Sequence, residues 1–189
     1  SSFHTAHWDH DIDLTNKRVA IIGSAASAVQ VVPEIIDKVA HLDVYQRTPN
    51  WVLPRMNKKY PAWRKWLHRN LPFTSLAIRT LLYLRGELLF FPAFFADSFM
   101  QRRLRKTALE HLEELVADEK LRAKLTPDFQ IGCKRILMID GYFEALQRGH
   151  AELITDGISE IAETGIVTQD GTAHAADVII YATGFKPFD

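Results

Sequence analysis

Apolar and polar positions follow three regimes along this chain. In the first, polar Asp13-Leu-Thr-Asn-Lys17 gives way to Arg18-Val-Ala-Ile-Ile22, a short apolar run that stops at Gly23, as a buried parallel strand does. Small residues follow from Ser24 to Ala28, and then Val29, Val32, Ile35, Ile36 and Val39 recur at helical spacing. Pro33 lies inside that pattern and is expected to distort the helix, because it removes one backbone hydrogen bond. Leu42-Asp-Val-Tyr-Gln46 reads as a second strand, which completes a strand–helix–strand unit.

The second regime runs from Met56 to about Gln130. It is rich in Arg, Leu and Phe and lacks strand-like alternation; helices are expected near Ala62–Arg69, Ser75–Leu89 and Thr107–Ala117, punctuated by Pro61, Pro72, Pro92 and Pro127. Its most apolar part, Leu71 to Met100, reads as buried helix or as a face that docks on something, with a membrane-surface or substrate-access role as the lesser alternative. Its longest uncharged run, Leu88 to Ala96, falls well short of the roughly 20 residues that span a bilayer, so no membrane span is expected and membrane association is not the leading reading. In the third regime strands return at Glu152–Thr155, Ile158–Ile161 and Gly165–Thr168. Asp170-Gly171 signals a hairpin, and a last buried strand, Asp177–Tyr181, runs into Ala182-Thr183-Gly184. The pattern predicts a three-layer, Rossmann-like α/β sheet with a helical insertion between its halves and a small antiparallel meander before the last strand.

Composition narrows the function. The chain has 189 residues, 47% of them hydrophobic, with 23 Lys plus Arg balanced by 23 Asp plus Glu. That is globular, and the neutral balance argues against a partner held by phosphate neutralisation, such as a nucleic acid. One cysteine, Cys133, excludes an internal disulfide framework and a cysteine-cluster zinc site, and it suits a reducing, cytoplasmic setting. The first eleven residues have no apolar core of the kind a secretory signal carries.

Four clusters carry candidate chemistry. Gly23-Ser24-Ala25-Ala26-Ser27-Ala28 stands where a dinucleotide-binding turn would stand. Gly23 supplies the tight turn, Ala25 replaces the second glycine of G-x-G-x-x-G, and Ala28 fills the third place. Free N–H groups at the helix start would suit a phosphate, although small residues placed for packing give the same pattern. Gln46-Arg47-Thr48 follows the second strand, where an NAD site would hold Asp or Glu. Arg47 lies 24 residues after Gly23, and its guanidinium suits a 2′-phosphate, so NADP(H) is expected unless Arg47 is simply a solvated loop residue. Gly132-Cys133-Lys134-Arg135 reads either as a surface turn or as two cations reaching a second phosphate or an anionic intermediate. His4, His7 and His10 have metal-like spacing, but no other ligand cluster supports them, so no metal is expected. Neither a G-x-S-x-G elbow nor a histidine near Cys133 supports a nucleophile.

Taken together these segments resemble the flavin-dependent Baeyer–Villiger monooxygenases, within the wider flavin-containing monooxygenases. His4, Trp8 and Asp9 match the second half of that family's fingerprint F-x-G-x-x-x-H-x-x-x-W-[P/D]. The tryptophan resembles the Baeyer–Villiger branch, since the heteroatom oxygenases usually carry Tyr or Phe there. Asp13–Gly23, Gln46–Val52, Gly132–Arg135 and Ala182–Phe185 also resemble family segments, in family order.

The resemblance implies roles for individual residues. Gly23, Ser24, Ala25, Ala26 and Ser27 would form the NADP(H) pyrophosphate turn. Arg47 and Thr48, with Lys134, would hold the 2′-phosphate, and Arg135 would be the catalytic arginine that stabilises negative charge during oxygen transfer. His4 and Trp8 would lie in the segment coupling the cofactor domains, and Ala182, Thr183 and Gly184 would mark the crossing back to the flavin domain. The implied reaction inserts one atom of O2 into a ketone to give an ester or lactone, with NADPH and FAD as cofactors. The alternatives are a flavin monooxygenase acting on sulfur or nitrogen, and a non-catalytic nucleotide-binding module. The expected organisation is a linker over 1–14, a nucleotide-binding domain over 15–55 and 131–189, and a helical insertion over 56–130. No FAD fingerprint is present, so the chain is expected to be one domain of a longer enzyme, inactive without its flavin domain.

Overall fold

The computed structural model describes residues 1–55, 57–95 and 98–185. Met56, where the insertion is expected to begin, and 186–189, the end of the expected nucleotide-binding segment, lie outside the described residues. Five strands form one fully parallel sheet: β1 (Ser2–His4), β2 (Arg18–Ile22), β3 (His41–Tyr45), β6 (Ala151–Ile154) and β10 (Val178–Tyr181), in the order β1-β10-β2-β3-β6. The two-residue strands β4 (Val52–Leu53) and β5 (Leu137–Met138) pair with each other in parallel. An antiparallel meander is built from β7 (Ile158–Ala162), β8 (Gly165–Thr168) and β9 (Ala173–Ala175). The helices are α1 (Ala26–Ile35), α2 (Ala62–Asn70), α3 (Pro72–Arg85), α4 (Phe99–Leu115), α5 (Glu119–Leu125) and α6 (Tyr142–Leu146). This is the expected three-layer α/β sheet with its insertion and its meander.

The layers follow from the two-residue period of the strands. Val19 and Ile21 of β2, Leu42 and Val44 of β3, and Val178 and Ile180 of β10 face a core shared with Ala28, Val29, Val32 and Ile35 of α1 and with α6. The alternate positions Ala20, Tyr45 and Ile179 face a second core, completed by Ile166 of the meander. A sheet covered on both faces has no polar side, which is why β2 and β10 read as continuous apolar runs. Each fully buried Val or Ile here contributes about 1.5–3 kcal/mol to stability.

The β2–β10 pairing is fastened at its amino end. Arg18 Nη2 donates to Asp177 Oδ1 at 2.8 Å, and the Arg18 backbone N–H donates to Oδ2, also at 2.8 Å. These bonds hold the Asp177 carboxyl down at about 2.

Several elements depart from the sequence pattern. Ser2–His4, inside segment 1–14, is an edge strand of the main sheet. Helix α4 starts eight residues before the expected Thr107, capped by Ser98, whose Oγ accepts from the Gln101 N–H at 3.0 Å. Helix α3 ends at Arg85 rather than Leu89, and Gly86–Phe90 continues as a wider π-helical turn. The expectation of a buried helix at Leu71–Met100 fails. Leu76, Leu81, Leu82 and Leu88 are each at least 60% exposed, which leaves the reading as a docking face.

Candidate functional site

Parallel pairing puts the ends of four strands at one edge. The register matches His4 with Tyr181, Tyr181 with Ile22, and Ile22 with Tyr45. The residues that follow β2, β3 and β10 are therefore neighbours at the carboxyl edge: Gly23, Gln46-Arg47-Thr48 and Ala182-Thr183-Gly184. In this sheet β3 leaves β2 on one side and β10 lies on the other. That reversal of strand order is where open α/β sheets bind ligands.

Gly23 forms the turn between β2 and α1. Its φ is +119°, and a Cβ there would stand 2.5 Å from the backbone oxygen of Ala182. Its N–H donates to the Tyr45 carbonyl at 3.0 Å, while the Ala182 N–H donates to the Ile22 carbonyl at 2.9 Å. The turn is thus clamped between the strands on either side. Ser24 is buried, and its Oγ donates to the Thr48 carbonyl at 3.1 Å. Asn50 Nδ2 donates back to the Ser24 carbonyl at 3.0 Å. The two phosphate-site candidates from separate segments are therefore laced into one surface. Ala25, exposed, precedes α1, where no side chain caps the first turn and no acidic residue lies in it. The N–H groups of Ala26 and Ser27 lie in that first turn, and the positive end of the helix dipole is open to an anion.

Of the candidate cations, Arg47 follows β3 at this edge, and Lys134 and Arg135 lie on the Gly132 loop. Arg47 is exposed and makes no hydrogen bond or ion pair among the described residues. Lys134 is exposed, with Nζ 4.5 Å from the centre of the Phe129 ring, and Arg135 is exposed and without a partner among the described residues. No hydrogen bond joins Lys134 or Arg135 to the Gly23 turn among the described residues. The two loops are joined one step back. Buried Trp51 donates its Nε1–H to the Phe129 carbonyl at 3.0 Å, and its own carbonyl accepts from the Leu137 N–H at 2.9 Å. Gly132, with φ +97°, packs against the Phe94 ring from the insertion.

The N-terminal residues stack locally. Trp8 meets Phe3 edge-on at 4.9 Å between ring centres, His4 meets Phe185 at 5.8 Å, and Asp9 Oδ1 accepts from the Asp11 N–H at 3.0 Å. His4, His7 and His10 gather no ligand cluster among the described residues. The grouping that does occur there is His41, Asp43 and Glu152, on the meander side of β3 and β6. Its core is an internal pair, His41 Nε2 to Asp43 Oδ1 at 2.9 Å. Burial pushes the Asp43 carboxyl up, with His41 opposing it. Tyr45, next on that face, is pushed well above the usual tyrosine range by burial and by the Asp43 and Glu152 charges.

Sequence reasoning missed Asn50, Trp51 and Phe129, which connect the candidate residues without displaying chemistry of their own. The available signal for Asn50 and Trp51 was their place directly after Arg47-Thr48-Pro49, inside the family-like segment Gln46–Val52.

Comparison with known proteins follows the same lines. All of residues 1–189 match the family described as flavin-binding monooxygenase-like. A Baeyer-Villiger monooxygenase of Pseudomonas aeruginosa is 43% identical over 189 residues, covering 99% of this chain and 35% of that protein. A Baeyer-Villiger monooxygenase of Streptomyces coelicolor is 42% identical over 187 residues, covering 99% of this chain and 36% of that protein. This chain therefore spans about a third of the length of these curated relatives. A crystal structure of OTEMO in complex with FAD and NADP superposes with a TM-score of 0.78 at 29% identity, covering 98% of this chain and 42% of that one.

Proposed function

Because the chain belongs to the flavin-binding monooxygenase-like family, we propose that it is the NADP(H)-binding domain of an FAD-dependent Baeyer–Villiger monooxygenase, which inserts one atom of O2 into a ketone to give an ester or lactone. The observation that carries this reading is the Gly23 turn, clamped to Ala182 and laced to Thr48, with an open helix N-terminus on one side and unpaired Arg47 on the other. That arrangement fits an anionic dinucleotide. Residues 15–55 and 131–189 form the binding domain, 1–14 leads into it and lends its sheet the edge strand Ser2–His4, and 56–130 is its insertion. The single cysteine, Cys133, is exposed and free and suits a cytoplasmic setting.

The residues act by position and charge. The N–H groups of Ala26 and Ser27, at the start of α1 behind Gly23, Ser24 and Ala25, receive the pyrophosphate, and the helix dipole favours its charge. Arg47, with Thr48 beside it and Lys134 across the Trp51 link, receives the 2′-phosphate, for which a planar guanidinium gives paired hydrogen bonds. Arg135 is the catalytic cation. A fixed positive group next to developing negative charge lowers the barrier most where water is excluded. His4 and Trp8 couple this domain to its flavin-binding partner, and Ala182, Thr183 and Gly184 lead back to it. NADPH and FAD, when bound, supply the redox chemistry, and the FAD site is assigned to the flavin domain of the longer protein.

The test is product analysis on the full-length protein with NADPH, O2 and a cyclic ketone. Lactone is expected, and Arg135→Ala should lower its rate by about a hundredfold or more while NADP⁺ binding is retained. Oxidation of a sulfide or amine without any lactone would move the assignment to the heteroatom branch, and an unchanged rate in Arg135→Ala would remove the catalytic role.

A further inference from the structure

The helical insertion exposes apolar side chains where a folded protein normally hides them. No residue of α2 is buried, and the described side chains of α3 are all exposed or half-buried. Trp63 is 67% exposed, Trp66 62%, Phe73 64% and Leu81 64%. A 14-residue helix none of whose described side chains is buried is marginal in water by itself, which calls for a cover.

The charge pattern says what. Residues 57–86 hold seven Lys and Arg (Lys58, Lys59, Arg64, Lys65, Arg69, Arg79 and Arg85) and no Asp or Glu, although the whole chain is neutral. None of the seven forms an ion pair among the described residues, and Arg64 lies over the Tyr60 ring at 4.3 Å. Trp63-Arg64-Lys65-Trp66 puts two indoles and two cations in a single turn of α2. Protein interfaces deplete lysine at their centres, whereas a lipid surface takes both chemistries at once: indole rings at the headgroup level, apolar side chains below them, and long cationic side chains reaching anionic headgroups. A symmetric pair of this chain would set seven cations against seven. No helix among the described residues is long and apolar enough to cross a membrane.

We propose that α2 and α3 form a peripheral membrane-docking surface selective for anionic lipid, lying in the plane of the interface. This reading extends the membrane-surface alternative for Leu71–Met100 to α2, and it does not depend on the cofactor assignment.

Flotation of the full-length protein with vesicles tests it. Phosphatidylcholine vesicles carrying about a third phosphatidylserine should capture the protein and shift its tryptophan emission to the blue, and high salt should release it. Vesicles of phosphatidylcholine alone should not capture it. Trp63→Ser with Trp66→Ser, and separately Arg79→Glu with Arg85→Glu, should each lower the bound fraction about tenfold or more while the thermal transition stays in place. Failure to float on the anionic vesicles overturns the proposal, as does equal capture by uncharged ones. Protection of Trp63 and Trp66 from a soluble quencher before lipid is added also overturns it, and would identify another domain or a second copy as the cover.

Discussion

Gly23 shows how much one residue carries here. Its positive φ and the backbone oxygen 2.5 Å from where a Cβ would stand are two separate reasons for glycine. Gly23→Ala should therefore lower unfolding stability by about 1–3 kcal/mol in a denaturant titration, and loosen the β2–α1 turn with it. The need for a tight turn at this point is legible in the sequence, because Gly23 ends an apolar run and precedes small residues. The partner is not, since Ala182 lies 159 residues further along and only parallel pairing brings it close. Arg47 shows the reverse case. Its place after a strand and the absence of an acid there are visible in the sequence, and the structure adds that no internal carboxylate competes for it among the described residues.

At the scale of elements, legibility follows length and burial. β2 and β10 stand out because each is apolar on both faces, whereas β3 and β6 are apolar on the helix side and carry His41, Asp43 and Glu152 on the meander side. β1, β4 and β5 are two or three residues long, too short to show any period. The start of helix α4 is weakly signalled because Phe99-Met-Gln-Arg-Arg-Leu-Arg-Lys106 has no regular apolar stripe, and only the Ser98 cap marks it. Helix α3 misleads in the other direction: its leucines read as core, yet they face outward. The short β4–β5 pair matters more than its length suggests, because Trp51 there ties the Arg47 loop to the Lys134 loop. Trp51→Phe keeps most of the buried ring but orphans the Phe129 carbonyl. It should cost about 1 kcal/mol in stability and weaken NADP⁺ binding several-fold, read by thermal denaturation and calorimetry on the same preparation.

The whole molecule combines two surfaces of different character. The carboxyl edge of the sheet gathers turn glycines, an open helix start and unpaired Arg47 from segments far apart in sequence. The insertion carries apolar and cationic residues on helices that little else in the chain covers. The order of the layers could be read from periodicity, because strand, helix and meander differ in their apolar spacing. The convergence of Gly23, Thr48 and Ala182 could not, because it depends on register and on which strand lies beside β2.

The central claim is that this edge holds NADP(H) through Arg47. Calorimetric titration of the full-length protein with NADP⁺ and NAD⁺ at one fixed low salt, on wild type and Arg47→Ala, tests it most directly. The account predicts tighter binding of NADP⁺ by the wild type. In Arg47→Ala it predicts a loss of roughly ten- to a hundredfold for NADP⁺, with little change for NAD⁺. Equal affinity for the two nucleotides, or an Arg47→Ala protein that still prefers NADP⁺ to the same degree, would contradict it.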